Sequence, residues 1–177
     1  MTDFQALAED CSDSKEEALE ILQQATDSVI EACQMQLEFP LWTEGTTKSP
    51  DQGCSTYGSG IALTDPTGGF NLMLVGDELS TETLTRQLFF MEDDEEVTQE
   101  EIADALGELV NMAAGAVKTL RPDDKHDLQL GLPLFLTGSG CIEFLAKGVY
   151  AAAQPIEGPG GIRVQMIIVW RGAAPGC

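Results

Sequence analysis

Two stretches of this 177-residue chain echo each other. Asp27-x-x-x-Glu31-x-x-Gln34-Met35 recurs as Asp104-x-x-x-Glu108-x-x-Asn111-Met112, 77 positions on. Asp65-x-x-Gly68-Gly69-Phe70 recurs as Glu157-x-x-Gly160-Gly161-Ile162, 92 positions on. The first string lies each time in a helical pattern and the second in a turn between strand-like runs. A chain of this kind folds twice into one sort of unit, a long helix plus a β-hairpin, and neither unit can bury its apolar face alone. The expected fold is α+β: duplicated helix-plus-hairpin units, with two long helices packed on a mainly antiparallel sheet. The larger second offset leaves 15 residues for one more strand after Pro122.

The local signals agree. Ser14 and Glu17 form a capping box, and Ala18, Leu22, Ala25, Val29, Cys33 and Leu37 recur at helical spacing until Pro40 interrupts. A Thr/Ser/Gly/Pro-rich loop follows over 43–53. Strands are expected at 55–64 and 70–76, joined by Asp65-Pro66-Thr67-Gly68-Gly69, then a shorter helix at 79–90. The acidic run Glu92 to Glu96 reads as a solvated connector placing negative charge ahead of a helix N-terminus, and its spacing does not fit a calcium loop. Thr98 with Glu101 opens the most regular helix, 98–121, ended by Pro122. Strands at 127–137, 141–153 and 162–171 complete the pattern. We expect a flexible N-terminus over 1–13, a single domain over 14–172 and a tail over 173–177.

Composition excludes several classes. With 9 basic against 30 acidic residues and a net charge of −21, the chain lacks the cations for a nucleic-acid face. Its 43% apolar content is too high for a disordered acidic tail. The longest apolar run, Met166 to Trp170, is far too short to span a bilayer, and the polar start carries no signal-peptide pattern, so the expectation is a cytoplasmic protein without membrane contact. Cys11, Cys33, Cys54, Cys141 and Cys177 are scattered and show no metal-ligand spacing. The one histidine, His126, sits in the charged loop 122–127. No metal site is expected, and the cysteines should be reduced thiols, mostly small core residues. Phosphate-loop and dinucleotide fingerprints are missing: Gly58-Ser59-Gly60 and Gly138-Ser139-Gly140 lack the rest of either pattern.

The second long helix carries the chemistry-bearing face. At about 100° per residue, Ile102, Leu106, Leu109, Ala113, Ala116 and Leu120 form the stripe expected to be buried. On the other side Asp104, Glu108, Asn111, Gly115 and Lys118 fall in line, so one partner surface could touch the first three together. Asn111 is a mediocre helix former, and Gly115, with Gly107 bordering the line, costs about 0.5–1 kcal/mol in a helix interior. Such residues serve solubility poorly. A bare glycine beside an amide and a carboxylate leaves room for another molecule, unless it serves tight packing within the chain.

Asp104-x-x-x-Glu108-x-x-Asn111-Met112-x-x-Gly115 resembles the signature of the CheC/CheX/FliY family of chemotaxis phosphatases. The long preceding helix, the Gly68-Gly69 hairpin and Leu132-Pro133-x-x-x-x-x-Gly138 fall in the family's order, most like the CheX branch. The resemblance implies hydrolysis of the aspartyl phosphate on a CheY-type receiver domain. Asn111 would orient the attacking water, Glu108 would contact the receiver's lysine, and Asp104 would help docking beside the open Gly115. It also implies no cofactor of its own, with Mg²⁺ expected in the partner receiver. Asp27, Glu31 and Gln34 would be a degenerate second site, because glutamine displaces the carboxamide by roughly 1.5 Å. The alternative is a non-catalytic receiver-binding or flagellar-switch module of the same fold. CheX-type proteins are associated with homodimers, and the apolar strand Met166–Trp170 fits either a central position or a pairing across a dimer.

Overall fold

The computed structural model describes residues 3–37, 39–50, 57–65, 68–92, 94–120, 128–138 and 150–171. Among the described residues three α-helices, α1 (Asp3–Leu37), α2 (Glu78–Phe89) and α3 (Gln99–Leu120), lie with a seven-stranded antiparallel sheet. Its strands are β1 (Trp42–Thr43), β2 (Tyr57–Asp65), β3 (Gly68–Gly76), β4 (Gln129–Leu130), β5 (Leu134–Thr137), β6 (Tyr150–Gly158) and β7 (Ile162–Arg171). Their spatial order is β1-β6-β7-β3-β2-β4, with β5 also on β2. The α+β expectation holds. Among the described residues no helix is long and apolar enough to cross a membrane.

The duplication is visible in the register. Leu74 and Met166, 92 positions apart, face each other across β3 and β7. That is the repeat offset itself, so this pair marks the pseudo-twofold about which the hairpins β2–β3 and β6–β7 meet. The helices then exchange partners: α1 packs mainly against β6 and β7, α3 against β2 and β3, and the helices pack on each other. Each unit's helix covers the hairpin of the other.

Helix α1 buries Ala18, Ile21, Leu22, Ala25, Val29 and Cys33. It begins at Asp3, so Ser14 and Glu17, expected to cap its start, lie inside the helix instead. The reason lies in residues 3–13, which contain helix formers and neither glycine nor proline. Burial pushes the Cys33 thiol up to about 11, so it is inert core rather than a reactive group. Cys54, Cys141, Cys177, His126 and the tail at 173–177 lie outside the described residues.

Strand β7 is central, flanked by β6 and β3. That explains the run Met166–Trp170. Val164, Met166 and Ile168 face the helix-side core, while Ile167 and Val169 join Met73, Val75 and Ala153 in a second cluster. A strand buried on both faces reads as continuously apolar. Part of the loop predicted at 43–53 instead lines the β6 edge, through β1 and through Lys48, which exchanges backbone hydrogen bonds of 3.0 and 2.8 Å with Ala153. The turn between β6 and β7 places Gly160 at φ 72° and Gly161 at φ 83°, a region open to glycine and strained for other residues. The strand expected at 127–137 splits into β4 and β5, and of 141–153 only the part from Tyr150 lies in described structure.

Candidate functional site

Helix α3 is fixed at its start by its own sequence. Thr98 N–H donates to Glu101 Oε2 at 2.7 Å, Thr98 Oγ to the same oxygen at 2.7 Å, and Glu101 N–H returns to Thr98 Oγ at 3.3 Å. The predicted capping box is present. These bonds, the backbone one first, hold the Glu101 carboxyl below the usual carboxylate range. A pKa lower in the folded chain than in the unfolded one stabilises above the unfolded value and loses that contribution as pH falls through the folded value. Thr98→Ala is expected to cost about 1 kcal/mol, read by urea unfolding at neutral pH. In the same measurement the advantage of wild type over Glu101→Gln should vanish as acid protonates Glu101.

Downstream, Ile102, Ala105, Leu106, Leu109, Val110, Ala113, Ala114 and Val117 are buried. The buried face is wider than the predicted stripe and slightly rotated. Val110, Ala114 and Val117 join it, whereas Ala116 is half-buried and Leu120, the last helical residue, is 60% exposed. At the helix end Leu120 has run past the core that covers Leu106 and Leu109.

The polar line stands where the sequence placed it. Asp104, Glu108, Asn111 and Lys118 are exposed, and Gly115 is half-buried. Neighbours three and four apart on a helix hold their Cβ atoms about 5–6 Å from each other, so the Glu108 carboxylate and Asn111 carboxamide can reach adjacent points on one molecule. The glycines divide in role. Among the described residues a Cβ on Gly115 would meet nothing within 4 Å, so packing against them does not account for it. Gly107 is buried; a Cβ there would sit 3.7 Å from Pro133 Cβ and 3.9 Å from Ser59 Oγ. The Ser59 hydroxyl is buried, with no hydrogen-bond partner among the described residues.

The first copy occupies the corresponding outer face of α1, with Asp27, Glu31 and Gln34 exposed. Asp27 Oδ1 accepts from Gln23 Nε2 at 2.8 Å, a local helical bond. Among the described residues no three His, Cys, Asp or Glu side chains are grouped to hold a metal ion. The sequence reading did not foresee that Pro133 is brought against α3 at Gly107. The available signal was the Gly131-Leu132-Pro133 string, which interrupts a strand pattern with two residues unsuited to a ladder.

Solved structures share this architecture. A CheC-like superfamily protein from Shewanella sp. PV-4 aligns over 86% of this chain and 97% of its own, at 17% identity and a TM-score of 0.69. A chain of the CheX–CheY–BeF3–Mg²⁺ complex from Borrelia burgdorferi does so over 86% and 97%, at 21% identity and 0.69. Thermotoga maritima FliY aligns over 85% and 86%, at 15% identity and 0.58. No curated protein matches by sequence. Fold and site together define a CheC-like α+β domain that presents an acid–amide helix face. The model of the chemotaxis phosphatase CheX family matches residues 57–157, more than half of the chain, and the chain belongs to that family. The matched span contains the whole of α3 and leaves α1 outside.

Proposed function

We propose that this protein hydrolyses the aspartyl phosphate of a CheY-type receiver domain. The observation that carries the reading is the exposed Glu108–Asn111 pair on a capped helix within the segment matched to the phosphatase family. The CheX–CheY–BeF3–Mg²⁺ complex of a protein with this fold supports the choice of partner.

The reaction asks little covalent chemistry of α3. Water attacks phosphorus, the bond between phosphorus and the aspartyl oxygen breaks, and inorganic phosphate leaves a free carboxylate. Such transfers depend on positioning and charge stabilisation. The Asn111 carboxamide can accept a hydrogen bond from the water through Oδ1 and donate through Nδ2, which fixes the water in line without acting as a base. Glu108, one turn earlier, would engage the receiver's lysine as a charge-assisted contact. Asp104 extends the same line as a docking group. Mg²⁺ would be held by the receiver, with none required from this chain. Gln34 on α1 keeps the amide but sets it roughly 1.5 Å further out, which makes Asp27, Glu31 and Gln34 a degenerate copy.

The test is turnover of phosphorylated receivers in Mg²⁺. Asn111→Ala should lose turnover while receiver binding survives, and Glu108→Ala should weaken both; full activity in both variants would sink the assignment. Gly115→Ala separates stability from function. A helical alanine in open space should stabilise the fold by about 0.5–1 kcal/mol. The same methyl should slow receiver turnover by occupying the approach. A more stable variant of undiminished activity would show that Gly115 reserves no space for a partner. The alternative of a docking module without catalysis draws on the FliM–SpeE complex from H. pylori, in which a chain of similar fold (TM-score 0.58, 12% identity) is bound to another protein; Glu108 and Asn111, together on α3, favour the phosphatase.

A further inference from the structure

The sheet edge beside α3 changes register by one residue. β4 aligns Leu130 with Leu63, and β5 aligns Leu134 with Gly60. Gly131, Leu132 and Pro133 therefore stand opposite only Ile61 and Ala62, which is a β-bulge, a device that re-aims side chains. Both flanks are anchored. Gly131 N–H donates to Ala62 O at 2.8 Å, and Pro133, which has no N–H for the ladder, lies against Gly107 of α3. Between these fixed points Leu132 is 89% exposed, and Leu134 just beyond is 53% exposed.

We propose that this bulge is a docking element for the phosphorylated receiver, with Leu132 as its apolar anchor; the inference rests on the phosphatase reading of α3. Distance supplies the first argument. Gly107 lies four residues from Asn111, about 6 Å along the helix axis. A specific protein interface covers about 800 Å² on each partner, a patch roughly 30 Å across. A folded partner whose phosphoryl group reaches Asn111 can therefore cover the bulge as well. Charge supplies the second. The chain carries −21 and its target group is anionic, so the long-range field opposes approach. Affinity must come from short-range contact, and a leucine held out of the core by a fixed backbone provides it.

Initial rates of receiver dephosphorylation across receiver concentrations, wild type beside Leu132→Ser, decide the matter. The variant should melt like wild type, because Leu132 is exposed. Its KM should rise about 10-fold or more, the worth of one buried leucine, with kcat changed by less than about two-fold. An unchanged KM in an active protein overturns the docking role and leaves the phosphatase reading standing. A raised KM accompanied by dissociation of a wild-type dimer, read by sedimentation, also overturns it, since the occupant is then a second copy of this chain. If wild type turns over no receiver, binding of a beryllofluoride-activated receiver replaces the rate. Leu132-dependent binding keeps the docking surface while removing the phosphatase; binding that ignores Leu132, or none, ends the proposal.

Discussion

Replacing Asn111 by alanine is expected to lower kcat on the phosphorylated receiver by about 100-fold or more, with KM unchanged and the melting temperature not lowered. The magnitude follows from the task assigned to the amide. A misplacement of about 1 Å in an attacking group can cost 10²-fold, and alanine removes the positioning altogether. The kcat–KM split follows from timing: a water held in line matters to the transition state and little to receiver binding. Stability should not fall, because the side chain is exposed and alanine is the better helix former. Asn111→Gln is the finer probe. It retains both hydrogen-bonding atoms but extends them by roughly 1.5 Å, and it should recover little of the lost rate. Recovery to near the wild-type rate would mean that the amide need not be placed closely, and Gln34 of the first copy would then regain standing as a second site.

Leu106→Ala should do the opposite. Leu106 is fully buried in the main core, on the side of α3 away from Glu108 and Asn111. Truncation to alanine at such a position costs about 2–5 kcal/mol, according to how far the surroundings collapse into the cavity. In a chain of this length that lowers the melting temperature by roughly 5–20 °C. Well below the melting point, turnover per folded molecule should remain near wild type, because the exposed line is untouched. Thermal unfolding followed by circular dichroism, beside the receiver assay on the same samples, checks both halves. A large activity loss in a fully folded Leu106→Ala protein would mean that the site depends on a finer setting of α3 than burial alone provides.

Much of the site was legible in the sequence because local rules govern it. The capping box at Thr98 and Glu101, the helical period beyond it and the exposed line Asp104–Glu108–Asn111 each depend on residues within two turns of one another. The internal repeat went further, since its offset of 92 is the separation of the paired residues Leu74 and Met166. Features set by distant contacts were not legible. Nothing in either helix says that α1 covers β6 and β7 while α3 covers β2 and β3, because any apolar stripe fits any apolar sheet face. The position of Met166–Trp170 stayed ambiguous for the same reason: an apolar strand suits both a sheet interior and a subunit interface, and only the pairings with β3 and β6 decide. The open space at Gly115 and the seating of Pro133 on Gly107 likewise depend on elements remote in the chain.

The most direct test of the central claim is the rate of aspartyl-phosphate loss from each phosphorylated receiver of the same cell, with Mg²⁺ present, in the presence of wild type and of Asn111→Ala. The expected result is one receiver whose phosphate loss is accelerated by wild type and left at its spontaneous rate by the variant. No acceleration of any receiver, in a sample that binds one of them measurably, would contradict a catalytic role for α3 and leave a docking module in its place.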